Sequence, residues 1–419
     1  MPAAKSFLII NQIAFNILKF DSIDNFKSKG GRIPKGNSNR MKKFLAVFLT
    51  VALVLISITA CGSQQTQGEP VIKIAVAGPM TGDNAEYGIG FANAAKLMAK
   101  EWNEKGGVNV GGTKYKVEIV EFDDKSDSDE AKLIAERIVS DKNIWGVIGH
   151  FASGICMVAA PTYQEAKYVN ISPTSSHPDF SKIGDYIFRN NTVISVETKT
   201  GAEIAVKDLG AKKIGVLSID TEWGQSAGDA MEENIKAMGG ECVLRQEVST
   251  DAVDFATEIA NFKAAGAEVI MVAGMYGTLA PFAVACKNSN YDVKLVGCSN
   301  AYTENLISIA KDAAEGIYAP VSFFAGHPDE RVQEYVKRYT DEYGAPPSAL
   351  TTQAYDSVGI LLEAIERAGK LDREAIKDAM YETEYDGMSG YTTFDEIGDA
   401  HKEFTKIMVK NGTFVLAEF

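Results

Sequence analysis

The sequence has 419 residues, enough for two or three domains, and 46% of them are hydrophobic while 23% are charged. Its formal net charge of −14 argues against a nucleic-acid partner, because neutralising phosphates requires a basic surface. Residues 1–60 hold nine Lys or Arg against two Asp, so the rest of the chain carries −21. The body of the protein is therefore strongly acidic.

The basic N-terminal segment has the pattern of an export signal. A Met-Lys-Lys start at residue 41 precedes an apolar run that ends at Ala60. This pattern predicts a signal peptide over residues 41–60, unless the segment stays as a membrane anchor. Residues 1–40 do not resemble an export element, and we interpret them as an over-extended start.

Residues 58–61, with the sequence ITAC, resemble a bacterial lipobox. The resemblance implies that Cys61 is lipidated and becomes the mature N-terminus. The small polar residues that follow predict a flexible tether over 61–70. We therefore expect an exported protein that is anchored to the membrane by lipid and faces the cell exterior or periplasm.

The other four cysteines, Cys156, Cys242, Cys286 and Cys298, have no CxxC or metal-like spacing. We expect free, buried thiols rather than disulfides, although export permits disulfides.

From residue 71 the chain alternates between short apolar runs and amphipathic stretches, which is typical of βα repeats. The strands predicted first are 71–77, 115–122, 147–148 and 169–171. An acidic cluster, Asp123–Asp127, lacks the central Gly and distal Glu of a calcium loop, so no metal site is expected.

A second βα series follows residues 190–192, with strands predicted at 213–219, 242–248, 269–273 and 294–297. A third region predicts helices at 329–343, 348–368 and 373–381, and a terminal hairpin that turns at Asn411-Gly412. Because each series has the length of one α/β domain, the chain is predicted to form two lobes. The predicted boundaries are 71–190 plus 320–388 for lobe 1, and 191–319 plus 389–419 for lobe 2.

The βα unit from Ile144 to Pro178 places hydroxyl groups where two parallel strands end. Ser153 follows the first strand, and Ser172, Thr174, Ser175 and Ser176 follow the second. The carboxyl ends of parallel strands meet at one edge of the sheet, where ligands bind, and a helix N-terminus attracts a carboxylate. Local chemistry also allows Ser153 to be only an N-cap and residues 173–176 only a turn.

Four segments, VIGHFASG, ISPTSSHPDF, GVLSIDTEWGQS and DAAEGIYAP, occur in this order. They resemble the periplasmic leucine/isoleucine/valine-binding protein family, the type I solute-binding proteins of amino-acid ABC importers. The resemblance runs from Ile72 to about Phe414. It implies an α/β fold of two Rossmann-like lobes with three crossings, near 190–192, 318–320 and 387–391, that closes on its ligand by hinge motion. It also implies capture of a small amino acid, branched-chain or related, for a cognate ABC permease.

The resemblance implies a role for each matching residue. Ser153 would bind an α-carboxylate through its hydroxyl and backbone N–H, the carbonyl of Thr174 would take the ammonium, and the hydroxyl of Ser176 would touch both. The remaining contacts implied by the resemblance are apolar or aromatic: Tyr87 on the first loop, Phe151, Ala152, Trp223 and Tyr276. Ordinary packing between the lobes is the alternative for the aromatic residues.

The sequence departs from the family at Ser299, where branched-chain amino-acid binders carry an acid that pairs with the ammonium. A buried ammonium without a carboxylate is costly. Either Asp220, Glu222 or Glu304 substitutes, or the ligand has no ammonium and is an amide or small carboxylate. Asp220 ranks first, because it directly follows a predicted strand of the second lobe.

Two other function classes fit the sequence less well. A sensory ligand-binding module would ordinarily continue into a transmembrane or signalling segment, whereas this sequence ends at Phe419. An enzyme would need a nucleophile–base–acid set beside His150 or His177, and the sequence offers none. We therefore expect a monomeric, non-enzymatic solute-binding protein without a cofactor.

Overall fold

The computed structural model describes residues 69–419. The predicted over-extended start, the predicted signal peptide, Cys61 and all but the end of the predicted tether lie outside the described residues. Within residues 69–419, no helix is both long enough and apolar enough to cross a membrane.

The first sheet has six strands in the order β2-β3-β1-β4-β5-β6. All neighbouring strands are parallel except β2 and β3. The strands are β1 Val71–Gly78, β2 Val108–Val110, β3 Thr113–Asp123, β4 Ile144–Gly149, β5 Asn170–Ser172 and β6 Ile187–Arg189. The helices between them are α1 Ala85–Glu104, α2 Ser128–Ser140 and α3 Ser153–Glu165.

The second sheet has seven strands in the order β15-β14-β11-β10-β9-β7-β8, with parallel pairing from β8 to β11 and antiparallel pairing beyond. The strands are β7 Lys213–Ile219, β8 Glu241–Val248, β9 Val269–Ala273, β10 Lys294–Val296, β11 Ile317–Val321, β14 Thr405–Lys410 and β15 Thr413–Leu416. The helices of this half are α4 Ile194–Ala202, α5 Glu222–Ala237, α6 Ala256–Ala265, α7 Tyr276–Asn288 and α8 Glu304–Ala310.

The residues that follow β11, up to Thr392, pack against the first sheet and its helices. They contain α9 Glu330–Tyr343, α10 Ala349–Ala368, α11 Arg373–Tyr381 and the hairpin strands β12 Tyr385–Gly387 and β13 Gly390–Thr392. Helix α10 packs against α1 and against strands of the first sheet, and most of its residues are therefore buried. Its start is capped by the Ser348 side chain, and it ends at Gly369, whose φ of 62° suits glycine. We refer to the two sheets with their packed helices as the first and second lobe.

The chain crosses between the lobes three times, but two crossings differ in position from the prediction. Strand β11 stays in the second sheet to Val321, so the second crossing follows that residue. Residues 385–400 pack against the first lobe, since Phe394 contacts the Phe188 ring and Asp399 pairs with Arg189. The third crossing therefore lies between Ala400 and Thr405, later than the predicted 387–391, and residues 389–400 belong with the first lobe.

A buried polar cluster lies where the first and third crossings meet. We call it the hinge cluster, and its members are Asn190, Gln353, Asp356, Ser389, Thr392 and Lys402, each 6% exposed or less. The Asn190 amide donates to the Gln353 carbonyl at 2.9 Å, and Asp356 accepts from the Ser389 backbone N–H at 2.7 Å. Burial lowers the pKa of Lys402 to about 8, against the opposing charge of Asp356. Burial raises the pKa of Asp356.

The acidic cluster after β3 and the four cysteines take structural roles. Asp123 accepts from Met80 N at 2.8 Å and Thr81 Oγ1 at 2.7 Å, while Asp127 caps α2. Across residues 69–419, no group of His, Cys, Asp and Glu is arranged to hold a metal ion. The cysteines at 156, 242, 286 and 298 are free, as predicted, although Cys242 is only half-buried.

Candidate ligand-binding site

Ser153 opens helix α3 at the carboxyl end of β4. The N-cap of the helix is Ala152, which makes no side-chain capping bond, so the interpretation of Ser153 as the N-cap is wrong. The Ser153 hydroxyl instead accepts a hydrogen bond from Ser176 N at 3.3 Å. Ser153 and Ser176 are each 2% exposed. The two serines that are predicted to bind a carboxylate are therefore buried and lie together.

The turn after β5 is held by its own side chains. The Ser172 hydroxyl accepts from Ser175 N at 2.9 Å, and Thr174 Oγ1 donates to the Phe151 carbonyl at 2.6 Å. The Asn191 amide donates to the Thr174 carbonyl at 3.0 Å. A carbonyl oxygen has two lone pairs, so Thr174 retains one acceptor site for a ligand.

Tyr87 and Phe151 form an aromatic wall beside the serines. Their rings stack at 4.2 Å between centroids with an interplanar angle of 10°, and Ala152 packs at the edge of the same cluster. Tyr87 lies on helix α1, not on the first loop as predicted. Next to it, a side chain at Gly88 would come within 2.0 Å of the Pro79 carbonyl oxygen, so only glycine permits this approach. This close packing fixes the position of Tyr87.

Residues of the second lobe complete the group. The Trp223 indole N–H donates to the Ser176 hydroxyl at 3.0 Å, and the Tyr276 ring lies 6.0 Å from the ring of Tyr87. Trp223 is the second residue of α5 and Tyr276 is the first of α7, so both project from helix starts at the carboxyl edge of the second sheet. The Tyr87 hydroxyl donates to the Asn300 carbonyl at 2.9 Å. Predicted residues from both lobes are thus brought into one group.

The three acids proposed to replace the missing one are not in this group. Asp220, Glu222 and Glu304 are all exposed. Glu222 comes near Gly154, where a side chain would lie 3.2 Å from the carboxylate, but it remains at the surface. Because an exposed carboxylate keeps its hydration, it gains little by pairing with a buried ammonium. Asp220 thus lies outside this group in the structure, and its pairing with a ligand ammonium stays a prediction.

Sequence reasoning missed Glu197, in the first turn of α4. This side chain is 3% exposed, and its Oε1 accepts from Ser299 N at 2.5 Å. Burial raises the pKa of Glu197 to about 7, against the opposing effect of the hydrogen bonds from Ser299. A carboxylate therefore does lie beside Ser299, although it comes from another element.

His150 is part of a sealed structural network. Its Nδ1 lies 2.6 Å from Asp124 Oδ2 and its Nε2 lies 3.0 Å from the Tyr163 hydroxyl. None of these three side chains is exposed. Since no solute can reach them, the arrangement supports the packing of α3 rather than chemistry.

Two α/β lobes with hydroxyl, aromatic and acidic side chains gathered at the carboxyl ends of both sheets define a two-lobed solute-binding protein. The sequence model of the periplasmic binding protein family matches residues 71–412, and the chain belongs to that family. The fold class and the family predicted from the sequence are thereby confirmed.

Relatives with established names extend the comparison. The chain is 26% identical over 351 residues to the leucine-, isoleucine-, valine-, threonine- and alanine-binding protein of Pseudomonas aeruginosa, covering 81% of this chain and 92% of that protein. It is similar to the crystal structure of a leucine binding protein from Thermotoga maritima, with a TM-score of 0.77 and 26% identity. The match covers 83% of this chain and 98% of that protein. It is also similar to a solute binding protein of an ABC transporter from Rhodopseudomonas palustris in complex with 3,4-dihydroxybenzoic acid, with a TM-score of 0.75, 25% identity, and coverage of 83% and 96%.

Proposed function

We propose that the protein is the extracytoplasmic solute receptor of an ABC importer and captures a small amino acid, branched-chain or related, by hinge closure. The observation that carries this proposal is the Ser153–Ser176–Trp223 chain of hydrogen bonds, which joins the two lobes at a buried helix start. The names of the Pseudomonas and Thermotoga relatives support the class of ligand.

The site can donate hydrogen bonds to a carboxylate, although it contains no formal cation among the described residues. The first backbone N–H groups of α3 have no partner within the helix, and the helix dipole favours a negative charge there. Ser176 accepts from Trp223, so its own proton is free to be donated to a carboxylate oxygen. The amino group would face the Thr174 carbonyl, and the side chain would lie against the Tyr87–Phe151 wall.

The proposal includes a lipid anchor at Cys61 and a cognate permease as partner. Both rest on the N-terminal sequence and on the family, because Cys61 lies outside the described residues. A protein held at the outer face of the membrane would meet its permease by diffusion in two dimensions.

A binding screen of the purified protein tests the ligand class. L-Leucine, L-isoleucine, L-valine, L-threonine and L-alanine should each be compared with benzoate and 3,4-dihydroxybenzoate by thermal shift and isothermal titration calorimetry. We expect at least one amino acid to raise the melting temperature, by an amount that grows with its concentration above Kd. No response to any amino acid, together with binding of an aromatic acid, would contradict the proposal.

An aromatic carboxylate is the second candidate ligand. It is favoured by Ser299, which provides no charge for an ammonium, and by the relative that was crystallised with 3,4-dihydroxybenzoic acid. The same screen separates the two candidates.

A further inference from the structure

We infer that Glu197 is the anionic residue of the ligand site and pairs with a cationic amine on the ligand. This inference rests on the proposed function, because it assigns a charge to the ligand of the same site. It selects amino acids over amides and simple carboxylates.

The position of Glu197 links the two halves of the site. Helix α4 begins at Ile194, whose N–H donates to the Ser176 carbonyl at 2.9 Å. One turn later the Glu197 carboxylate reaches Ser299 N. The following residue, Asn300, accepts the hydrogen bond from Tyr87. Glu197 therefore lies between the serine that faces the proposed carboxylate and the turn that meets the aromatic wall.

Its electrostatic surroundings set Glu197 apart from the other buried acids. Four carboxylates are buried among residues 69–419: Asp124, Glu197, Asp356 and Asp399. Asp124 faces His150, Asp356 is opposed by Lys402, and Asp399 lies 2.5 Å from Arg189. Among residues 69–419, no cationic side chain contributes to the pKa of Glu197, which burial raises against the hydrogen bonds from Ser299.

A buried carboxylate without a counter-charge is costly, and proteins ordinarily pair such a group. A ligand ammonium would supply the missing charge. Residues next in the chain to this link also carry unsatisfied polar atoms, since Thr192 Oγ1, Ser175 Oγ and Asn300 Oδ1 are buried without a hydrogen-bond partner in the described part of the chain. These three residues precede α4, precede Ser176 and follow Ser299, respectively.

The helix dipole alone does not account for this residue. An acid in the first turn of a helix is favourable, but the effect operates at the surface. Glu304 and Glu330 occupy first turns of α8 and α9 and are exposed. Burial of Glu197 therefore needs a further reason, and binding of an amine provides one.

The test compares Glu197→Gln with Glu304→Gln, a matched change of an exposed first-turn acid. Glutamine keeps the size of the side chain and an oxygen that accepts from Ser299 N. The probes are L-leucine and 4-methylpentanoate, its analogue without the amino group, and both are titrated by calorimetry. Glu197→Gln should raise the Kd for L-leucine by about thirtyfold or more, because it removes one partner of a desolvated charge pair. It should leave 4-methylpentanoate unchanged or bound more tightly, and Glu304→Gln should change neither.

The outcomes separate this inference from the proposed function. If Glu197→Gln binds L-leucine as the wild type does, the inference is wrong while the amino-acid function stands. If the wild type binds 4-methylpentanoate but no amino acid, both are wrong. Should Glu197→Gln fail to fold, Ser299→Lys places a competing ammonium beside the intact carboxylate. Loss of L-leucine binding in that variant, with 4-methylpentanoate retained, supports the inference, and unchanged L-leucine binding overturns it.

Discussion

Binding of L-leucine should weaken as the pH falls below neutrality, because Glu197 must be ionised to pair with an ammonium. Burial raises the pKa of this carboxyl from 4.5 to about 7 in the protein. Beside a ligand ammonium, the pKa should return toward its ordinary value. Below about pH 7 the free protein must therefore release a proton before the pair can form, and that step reduces the affinity.

The size of the effect follows from the two pKa values. If the ligand restores the pKa to 4.5, Kd at about pH 6 should be roughly tenfold higher than at about pH 8, and Kd at about pH 5 should be roughly seventyfold higher than at about pH 8. About 0.9 proton should be released per L-leucine bound at about pH 6. Burial, together with the charge of Glu197, raises the pKa of Cys298 well above its usual value. Its thiol therefore stays neutral and does not contribute to the proton release.

Calorimetry in two buffers of different ionisation enthalpy measures both quantities. The ammonium and carboxylate of L-leucine do not titrate in this range, so the proton comes from the protein. Glu197→Gln should abolish the released proton and flatten the pH profile of whatever binding remains. Equal Kd values for the wild type at about pH 6 and pH 8 would refute the reasoning.

The free protein should show the opposite trend in stability. A carboxyl with a raised pKa binds more protons in the folded than in the unfolded state between its two pKa values. The contribution of Glu197 to stability is therefore present below about pH 4.5 and is lost as the pH rises toward 7, by about 3 kcal/mol at most. Unfolding of the Glu197→Gln variant in urea, measured at the same pH values, should not show this component.

Three further predictions concern other parts of the chain. Ser153→Ala should raise the Kd for L-leucine by about tenfold or more with little change in melting temperature, because hydrogen bonds to charged groups contribute about 1.5–3 kcal/mol. Unchanged binding with a much lower melting temperature would show that the role of Ser153 is structural. Cys61→Ser should release the protein from the membrane or leave it unprocessed, as fractionation and mass measurement would show, whereas unchanged attachment and processing would exclude the lipid anchor. Lys402→Met should lower the free energy of unfolding by about 3–5 kcal/mol, because it leaves Asp356 buried without its counter-charge, and adding Asp356→Leu should recover much of that loss in denaturant titrations.

The fold could be predicted because its signal is local. Apolar runs followed by small residues are typical of parallel strands. Because ligands bind at the carboxyl ends of such strands, the sequence alone predicts that Ser153 and Ser176 lie together. Glu197 could not be found this way. Its contact with Ser299 spans 102 positions and depends on how α4 packs, which no local pattern records. The position of Asp220 at a strand end predicts a functional group, yet its side chain is exposed to solvent.

The late third crossing escaped prediction for a similar reason. Residues 385–400 contain one short hairpin and a bridge from Arg189 to Asp399, and neither has the periodicity that identifies longer elements. The family resemblance predicts Tyr87 on the first loop, whereas it lies in α1, beside Gly88. In the structure that glycine allows α1 to approach Pro79.

In the proposed function, the hinge cluster lies at the crossings, where closure would act, and apart from the residues that would recognise the solute. In it, Thr392 donates to Asn190 and Asn190 donates to Gln353 of the buried helix α10, and none of its members belongs to the group around Ser153 and Trp223. Under this proposal, substitutions of side chains that face the solute would leave the side chains of the hinge cluster unchanged. A scaffold divided in this way can exchange one nutrient for another in few steps, and its relatives named for leucine or crystallised with 3,4-dihydroxybenzoic acid illustrate the range of solutes that one architecture serves.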